Sequence, residues 1–257
     1  TSVATSSNCG FNNGALNITA SGDNPPFLFS YDNGSGSVPF QSSGTFTNLL
    51  AGAYQVYVMD DLGCIDSTYF GINDIEMDGE LLGSVDISCY GGSDGQVTVK
   101  NLAGAEPITF ELNNSGITET GNPLGNGEYE KTFAGLTAGS HIVTIYDDGL
   151  CVYTIPFSLD QPDEINFSAD ITDVACHGES TGEIEVINVT GGTGNYYYSN
   201  DGWTFDVNNQ FGGFSQGTHT IYVMDDNNCL IAKDFSIDES PLIQVNTSLF
   251  DLTCHND

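Results

Sequence analysis

Arginine is missing from this chain and lysine nearly so: Lys100, Lys131 and Lys233 stand against 35 Asp and Glu, for a formal net charge of −32. Neutralising phosphates takes several clustered cations, so a nucleic-acid partner is excluded. An anionic membrane would repel the same surface. No run of about 18 apolar residues is present, so no segment reads as inserting into a bilayer. A 3.6-residue apolar stripe is also lacking, which rules out helices longer than a turn. P-loop and G-x-S-x-G patterns are absent, and no constellation for nucleophilic catalysis replaces them, so the chain does not read as an enzyme. What is abundant is glycine, 31 residues, with 15 Phe and 12 Tyr, enough apolar area to argue against disorder. The chain opens at Thr1 without a basic or apolar signal segment, and is expected to be an excerpt of a longer secreted protein.

The seven cysteines set the organisation. Cys9, Cys89, Cys176 and Cys254 recur at intervals of 80, 87 and 78 residues, with Cys64, Cys151 and Cys229 between them. Each early cysteine opens a glycine-bearing turn (CGFNNG, CYGGSDG, CHGESTG). Later comes F-x-x-L/F-x-x-G, as Phe46/Leu49/Gly52, Phe133/Leu136/Gly139 and Phe211/Phe214/Gly217, and the late cysteine follows that glycine by 12 residues each time. A repeat at fixed landmarks means an array of similar units. Modules are expected at 1–73, 74–160 and 161–238, with 239–257 opening a fourth, separated by NDIE, DQPDE and DESPL.

Within each module the apolar period is two, the signal of strands with one packed face. Leu16/Ile18, Val97/Val99 and Ile184/Val186 form one series, and Tyr54/Val56/Val58, His141/Val143/Ile145 and His219/Ile221/Val223 another. About seven short strands in roughly 80 residues predict an all-β fold, tandem immunoglobulin-like β-sandwich repeats in an extended array. His141 and His219 fall where module one has Tyr54, which gives them a packing role rather than a catalytic one. Glu183 and Glu185 share the wet face of one strand.

Two disulfide schemes fit an odd cysteine count. Pairing within modules joins Cys9 to Cys64, Cys89 to Cys151 and Cys176 to Cys229, leaving Cys254 a partner outside the chain. Pairing across modules joins Cys64 to Cys89, Cys151 to Cys176 and Cys229 to Cys254, each 25 residues apart. The first is preferred because the unit begins and ends with a cysteine, and because strands running end to end would hold the second set out of reach. Zinc is disfavoured, since no C-x-x-C is present and His177 and His255 directly follow cysteines.

Before each late cysteine lies an acidic doublet, Asp60-Asp61, Asp147-Asp148 and Asp225-Asp226. Such residues are good turn formers, and they are also calcium candidates together with linker acids such as Asp160, Asp163, Glu164, Asp238 and Glu239. No cofactor is required by the sequence. Tyr196-Tyr197-Tyr198 with Trp203 is the densest aromatic cluster; alternation sends Tyr196 and Tyr198 to the core and leaves Tyr197, with Trp203, as the ligand candidate. Ser67, in Asp66-Ser67-Thr68, is an O-glycosylation candidate.

The early C-x-G-x-x-x-G, the GG-T-G-x-Y-x-Y of Gly191 to Tyr198, the G-x-x-x-V-x-V-x-D-x-x-x-C and the Pro-bearing spacer together resemble the SprB repeat family. Module three fits best; module two has Glu106-Pro107-Ile108 at the aromatic position, and module one has a shorter turn after Cys9 and no paired glycine before Pro25-Pro26. The resemblance implies type IX secretion, display on the bacterial cell surface, and a very large filament supporting adhesion and gliding motility. Its partners would be further copies of the repeat and, where the repeats themselves bind, surface polysaccharide. An accessory module of an exported enzyme is the remaining alternative.

Overall fold

In the computed structural model, residues 2–148 and 151–248 are described. All their regular structure is β-strand, and no helix of these residues is long and apolar enough to cross a membrane. The first stretch carries β1 (Ser2–Thr5), β2 (Ser7–Asn8), β3 (Gly14–Ile18), β4 (Leu28–Asp32), β5 (Thr45–Leu49), β6 (Gly52–Met59), β7 (Ile65–Ile72) and β8 (Asp74–Ile75). The second carries β9 (Asp78–Val85), β10 (Gly95–Ala103), β11 (Thr109–Leu112), β12 (Thr118–Thr120), β13 (Asn122–Gly125), β14 (Glu128–Leu136), β15 (Gly139–Tyr146) and β16 (Val152–Leu159). The third carries β17 (Asn166–Thr172), β18 (Gly182–Thr190), β19 (Tyr196–Ser199), β20 (Gln210–Phe214), β21 (Gly217–Asp225) and β22 (Leu230–Ile237).

The second module is the fullest. Lettering β9 to β16 as A, B, C, C′, D, E, F and G, its sheets read A-B-E-D and C′-C-F-G, which is the immunoglobulin arrangement. Modules one and three keep A-B-E (β1-β3-β5, β17-β18-β20) and C-F-G (β4-β6-β7, β19-β21-β22). The variable C′ and D strands exist only where residues 113–127 are long enough to build them. At the same place module one has only the isolated bridges Phe29–Gln41 and Asp32–Ser37, and module three has Tyr198–Asp206. The fold is therefore all-β, built of immunoglobulin-like sandwiches.

The cores follow the alternation. In module one Leu16 and Ile18 from one sheet meet Phe29, Tyr54, Val56 and Ile72 from the other. In module three Ile184 and Val186 meet Ile221, Val223 and Ile237. The spacing in F-x-x-L/F has a separate cause, because residues three apart on a regular strand face opposite ways. The residue just before the Leu or Phe adopts positive φ, Asn48 at 59°, Gly135 at 76° and Gly213 at 85°. The register of strands B and E slips nearby, between Gly14 and Leu16, Gly95 and Gln96, and Gly182 and Glu183. A bulge thus turns both apolar residues of the motif toward the core side; Phe46, Leu49, Phe133 and Leu136 are buried.

Compact units do not coincide with the three sequence modules. One unit comprises residues 1–86 and 93–160, and the other comprises 87–92 and 161–257. The short segment around Cys89, which in sequence connects β9 to β10, therefore packs with the third sandwich.

Candidate functional site

Three late-cysteine turns share one skeleton. The backbone N–H groups of Cys64, Cys151 and Cys229 donate to Oδ1 of Asp60, Asp147 and Asp225, each at 2.8 Å. Each aspartate N–H returns a bond to the cysteine carbonyl, at 3.0, 3.3 and 3.1 Å. The first aspartate also reaches the B–C loop. Oδ2 of Asp147 accepts from Ala105 N–H at 2.9 Å, that of Asp225 from Thr193 N–H at 2.8 Å, and that of Asp60 from Asn24 Nδ2 at 3.2 Å. The second aspartate donates its own N–H to the same loop, from Asp61 to the Asn24 carbonyl, from Asp148 to Ala105 and from Asp226 to Thr193. The doublet thus fastens the F–G turn to the B–C loop. Backbone N–H groups hold the Asp60 and Asp226 carboxyls below the usual carboxylate range, with Cys64 as the main donor for the first and Asn195 for the second.

These bonds engage both carboxylate oxygens of the first aspartate of each doublet, Asp60, Asp147 and Asp225, which were calcium candidates. Among the described residues no group of three or more His, Cys, Asp or Glu is placed to hold a metal ion.

The early-cysteine loop has a skeleton of its own, fastened to the opposite end of the sandwich. In module one β2 runs parallel to β8, pairing Ser7 with Asp74 and Asn8 with Ile75. Cys9 N–H donates to the Ile75 carbonyl at 2.9 Å, and Gly10 N–H to Oδ2 of Asp74 at 2.8 Å. In module three Val174 bridges Glu239 in parallel, and Gly178 N–H donates to Oε2 of Glu239 at 2.9 Å. Gly91 N–H does the same to Oε1 of Gln161, at 2.9 Å. Each early loop therefore rests on the linker that leaves its own module, and Asp74, Gln161 and Glu239 are the residues that receive it. In the sequence all three positions read as spacer residues, Glu239 also as a calcium candidate.

This geometry corrects the disulfide assignment. Cys9 is bonded to Cys151 and Cys89 to Cys229, with Cα atoms 5.6 and 5.5 Å apart; Cys64 and Cys176 are free and exposed. The within-module bonds Cys9–Cys64, Cys89–Cys151 and Cys176–Cys229 do not form, and neither do Cys64–Cys89 and Cys151–Cys176. The reason is strand length. Cys64, Cys151 and Cys229 directly precede the eight-residue strands β7, β16 and β22, while the early loops sit on the linker after those strands. Eight residues span about 26 Å, so in modules one and three the two cysteines lie at opposite ends of the sandwich, far beyond disulfide reach; in module two both cysteines are already bonded to other partners. The early cysteine meets instead the F–G turn of the module that follows. Both bonds lie within single compact units, since Cys9 and Cys151 belong to the first unit and Cys89 and Cys229 to the second. Cys254 lies outside the described residues.

His141 and His219 prove to be corner residues. Tyr54 donates its hydroxyl to the carbonyl of Leu50, four residues upstream, at 2.8 Å, the tyrosine-corner bond of immunoglobulin sandwiches. Nε2 of His141 and His219 makes the same bond to the Thr137 and Ser215 carbonyls, at 2.8 Å each. The rings lie against Phe157 and Phe214. Glu183 and Glu185 are exposed, as alternation requires.

Of the aromatic candidates, Tyr196 and Tyr198 pack on the third core. Tyr197 is half-buried and hydrogen-bonded to the Asp226 carboxylate, which raises its hydroxyl pKa. Trp203 is 90% exposed. Its turn is organised by Asp201, whose Oδ1 accepts from Trp203 N–H and Thr204 N–H at 2.8 Å and from the Ser199 hydroxyl at 2.7 Å. Ser67 is exposed on β7, its hydroxyl oxygen accepting from Gln55 Nε2 at 3.3 Å.

Among solved structures, three similarities are at low identity and low TM-score. A C-terminal 282-residue intimin fragment, crystallised with the translocated intimin receptor domain, is 16% identical over 64% of this chain and 64% of its own, with a TM-score of 0.31. Domains 4–9 of surface layer protein SbsC are 14% identical over 89% and 42%, at 0.30. The Ig1–Ig3 ectodomain of mouse nectin-like molecule 4 is 12% identical over 85% and 92%, at 0.33. The chain thus spans less than two thirds of the intimin fragment and of the SbsC structure. No curated protein matches the sequence. The family model described as SprB repeat matches residues 83–116 and 168–202, each running from strand A through the early-cysteine loop into strand C or just beyond it. At these two places the chain carries the SprB repeat that its motifs resemble.

Proposed function

We propose that this chain is a spacer segment of a secreted bacterial surface protein, a run of sandwich modules that carries an adhesive part away from the cell. The observation that supports it most is the place of the disulfides. A bond between the A–B loop of one module and the F–G turn of the next adds nothing to the inside of either sandwich. It bridges the linker, so tension along the chain is shared between linker and disulfide. Disulfides persist in oxidising compartments, which fits export, and a net charge of −32 keeps such an array soluble and hinders edge-to-edge strand pairing. Support of adhesion and gliding on the cell surface belongs to this reading.

A second reading, that the modules bind glycans themselves, draws on Trp203, an exposed indole on a turn fixed by Asp201. Binding of the oxidised chain to a panel of polysaccharides and to glass separates the two. The spacer reading expects no saturable binding. Saturable binding that disappears in Trp203→Ala, with both disulfides retained, would make the repeats the adhesive.

A further inference from the structure

We propose that Cys64 and Cys176 are the two halves of one more junction disulfide: Cys64 takes the early cysteine of another copy of this repeat, and Cys176 takes a late one. In a longer array every junction then carries a single disulfide, and none closes within a module. This goes beyond the proposed function and holds for a spacer and an adhesive alike.

The inference does not rest on free thiols alone. Two equivalent pairs are already bonded in this chain, Cys9 with Cys151 and Cys89 with Cys229. The half-site around Cys64 is built like the bonded ones, with the same 2.8 Å bond from the cysteine N–H to the turn aspartate. The half-site around Cys176 is likewise complete, held on Glu239 through Gly178 as the Cys9 loop is held on Asp74. Burial then marks what is absent. Cys151 is 1% exposed and Cys229 8%, whereas Cys64 and Cys176 are open to solvent. Beside Cys64 lies a recess of about 390 Å³ lined by Ala20, Asn24, Phe27, Asp60, Cys64 and Ile65. Its walls are the B–C loop and the F–G turn. At the corresponding place in the second unit, Cys89 and Tyr90 of an early loop stand against Gly192, Asn228, Cys229 and Leu230.

Bond formation is a two-electron oxidation. Each thiol loses its proton, one S–S bond forms between the two sulfurs, and a disulfide oxidant such as oxidised glutathione takes up both electrons and both protons as two thiols.

A register-matched tandem tests this: residues 1–245 joined directly to a complete second chain, so that Cys9 of the second copy falls where Cys254 would stand. It is oxidised with glutathione and mapped by mass spectrometry without reduction, beside the single chain. In the single chain Cys64 and Cys176 should alkylate, and Cys9–Cys151 and Cys89–Cys229 should be found intact. The tandem should show those two bonds in each copy and one new bond, Cys176 of the first copy to Cys64 of the second. Those two thiols should become unreactive to alkylation, while Cys64 of the first copy and Cys176 of the second stay reactive. Changing Cys64 to Ser in the second copy should return Cys176 of the first to full labelling with the other four bonds unaltered. Four intact bonds with both junction thiols still reactive would overturn the proposal. So would Cys176 bonded to any other cysteine, or failure of the four bonds on which the periodic series depends.

Discussion

The F–G turn at Cys64 and the F–G turn at Cys229 have the same internal hydrogen bonds and opposite exposure. Both carry the cysteine N–H bond to the first aspartate at 2.8 Å. Asp225 is 1% exposed and Cys229 8%, while Asp60 is half-buried and Cys64 exposed. The turn is therefore a local product of its own sequence, D-D-x-G/N-C, with the left-handed residue supplied by Gly63 at φ 82° or Asn228 at 64°. Its burial is a product of another module's loop. Folding of the turn and closure of the junction are separate events, and changes that affect only one of them should tell them apart.

The largest contrast comes from removing the bond. The Cys89–Cys229 pair closes a sequence separation of 140 residues, and loop entropy for a ring of that size gives about 5 kcal/mol as an upper figure. Cys89→Ser should lower the free energy of unfolding of the third sandwich, measured by guanidinium titration, by an amount approaching that value. In the same oxidised chain Cys64→Ser should change stability by no more than about 0.5 kcal/mol, as for an exposed site without a partner. Equal losses from the two substitutions would mean that the junction is not where the stability lies.

Next in size is the aspartate itself. Asp225 accepts from Thr193 N–H, the Thr193 hydroxyl, Asn227 N–H and Cys229 N–H. Asp225→Ala strands these donors in a buried turn, at a cost of about 3 kcal/mol. Asp60→Ala removes a similar set of bonds where water can replace them, so urea unfolding should register a clearly smaller loss. A matching loss at Asp60 would show that the turn does not depend on cover from another loop.

Acid should act on the exposed carboxylates in a defined direction. Asp60 and Asp226 have folded pKa values lowered by the N–H groups they accept from. Asp201 is lowered further, by Thr204 and Trp203 N–H and the Ser199 hydroxyl. A lowered folded pKa means that the stabilisation is complete above the unfolded value, about 3.9, and is lost as pH falls from there toward the folded value. Thermal melts at pH 5, 3.5 and 2.5 should show a falling Tm, and Asp201→Asn should flatten that slope. An unchanged slope would mean that the Asp201 turn does not persist in solution.

Much of this was legible from the residues. Period-two alternation placed Leu16, Val97, Ile184, Val143 and Ile221 in the core, where they are buried. The coincidence of His141 and His219 with Tyr54 marked one shared packing position, but neither the corner nor its bond to the carbonyl four residues back, because a ring nitrogen and a phenol hydroxyl share no sequence signature. Disulfide connectivity was misread because the repeat was framed from cysteine to cysteine, and that frame hides which end of the sandwich each occupies. The eight-residue strand after every late cysteine already placed it one strand length from its own module's early loop. The linker positions Asp74, Gln161 and Glu239 were harder to see, since an acid or amide in a spacer looks like any solvated residue until a glycine N–H is found pointing at it.

The smallest expected effect concerns calcium. With a net charge of −32 any divalent cation will screen repulsion, so a rise in Tm on adding calcium is not by itself a sign of a site. A site at the doublets would need Asp60, Asp147 or Asp225 to give up N–H bonds that form the turn, and adjacent oxygens to complete six to eight ligands. Calcium and magnesium at equal ionic strength should therefore raise Tm alike, and EDTA at constant ionic strength should leave it unchanged. A stoichiometric gain specific to calcium, lost in Asp61→Asn, Asp148→Asn or Asp226→Asn, would show that the second aspartate of the doublet binds the ion while the first keeps the turn. The comparison between covered and uncovered turns would then have to be repeated with the cation bound.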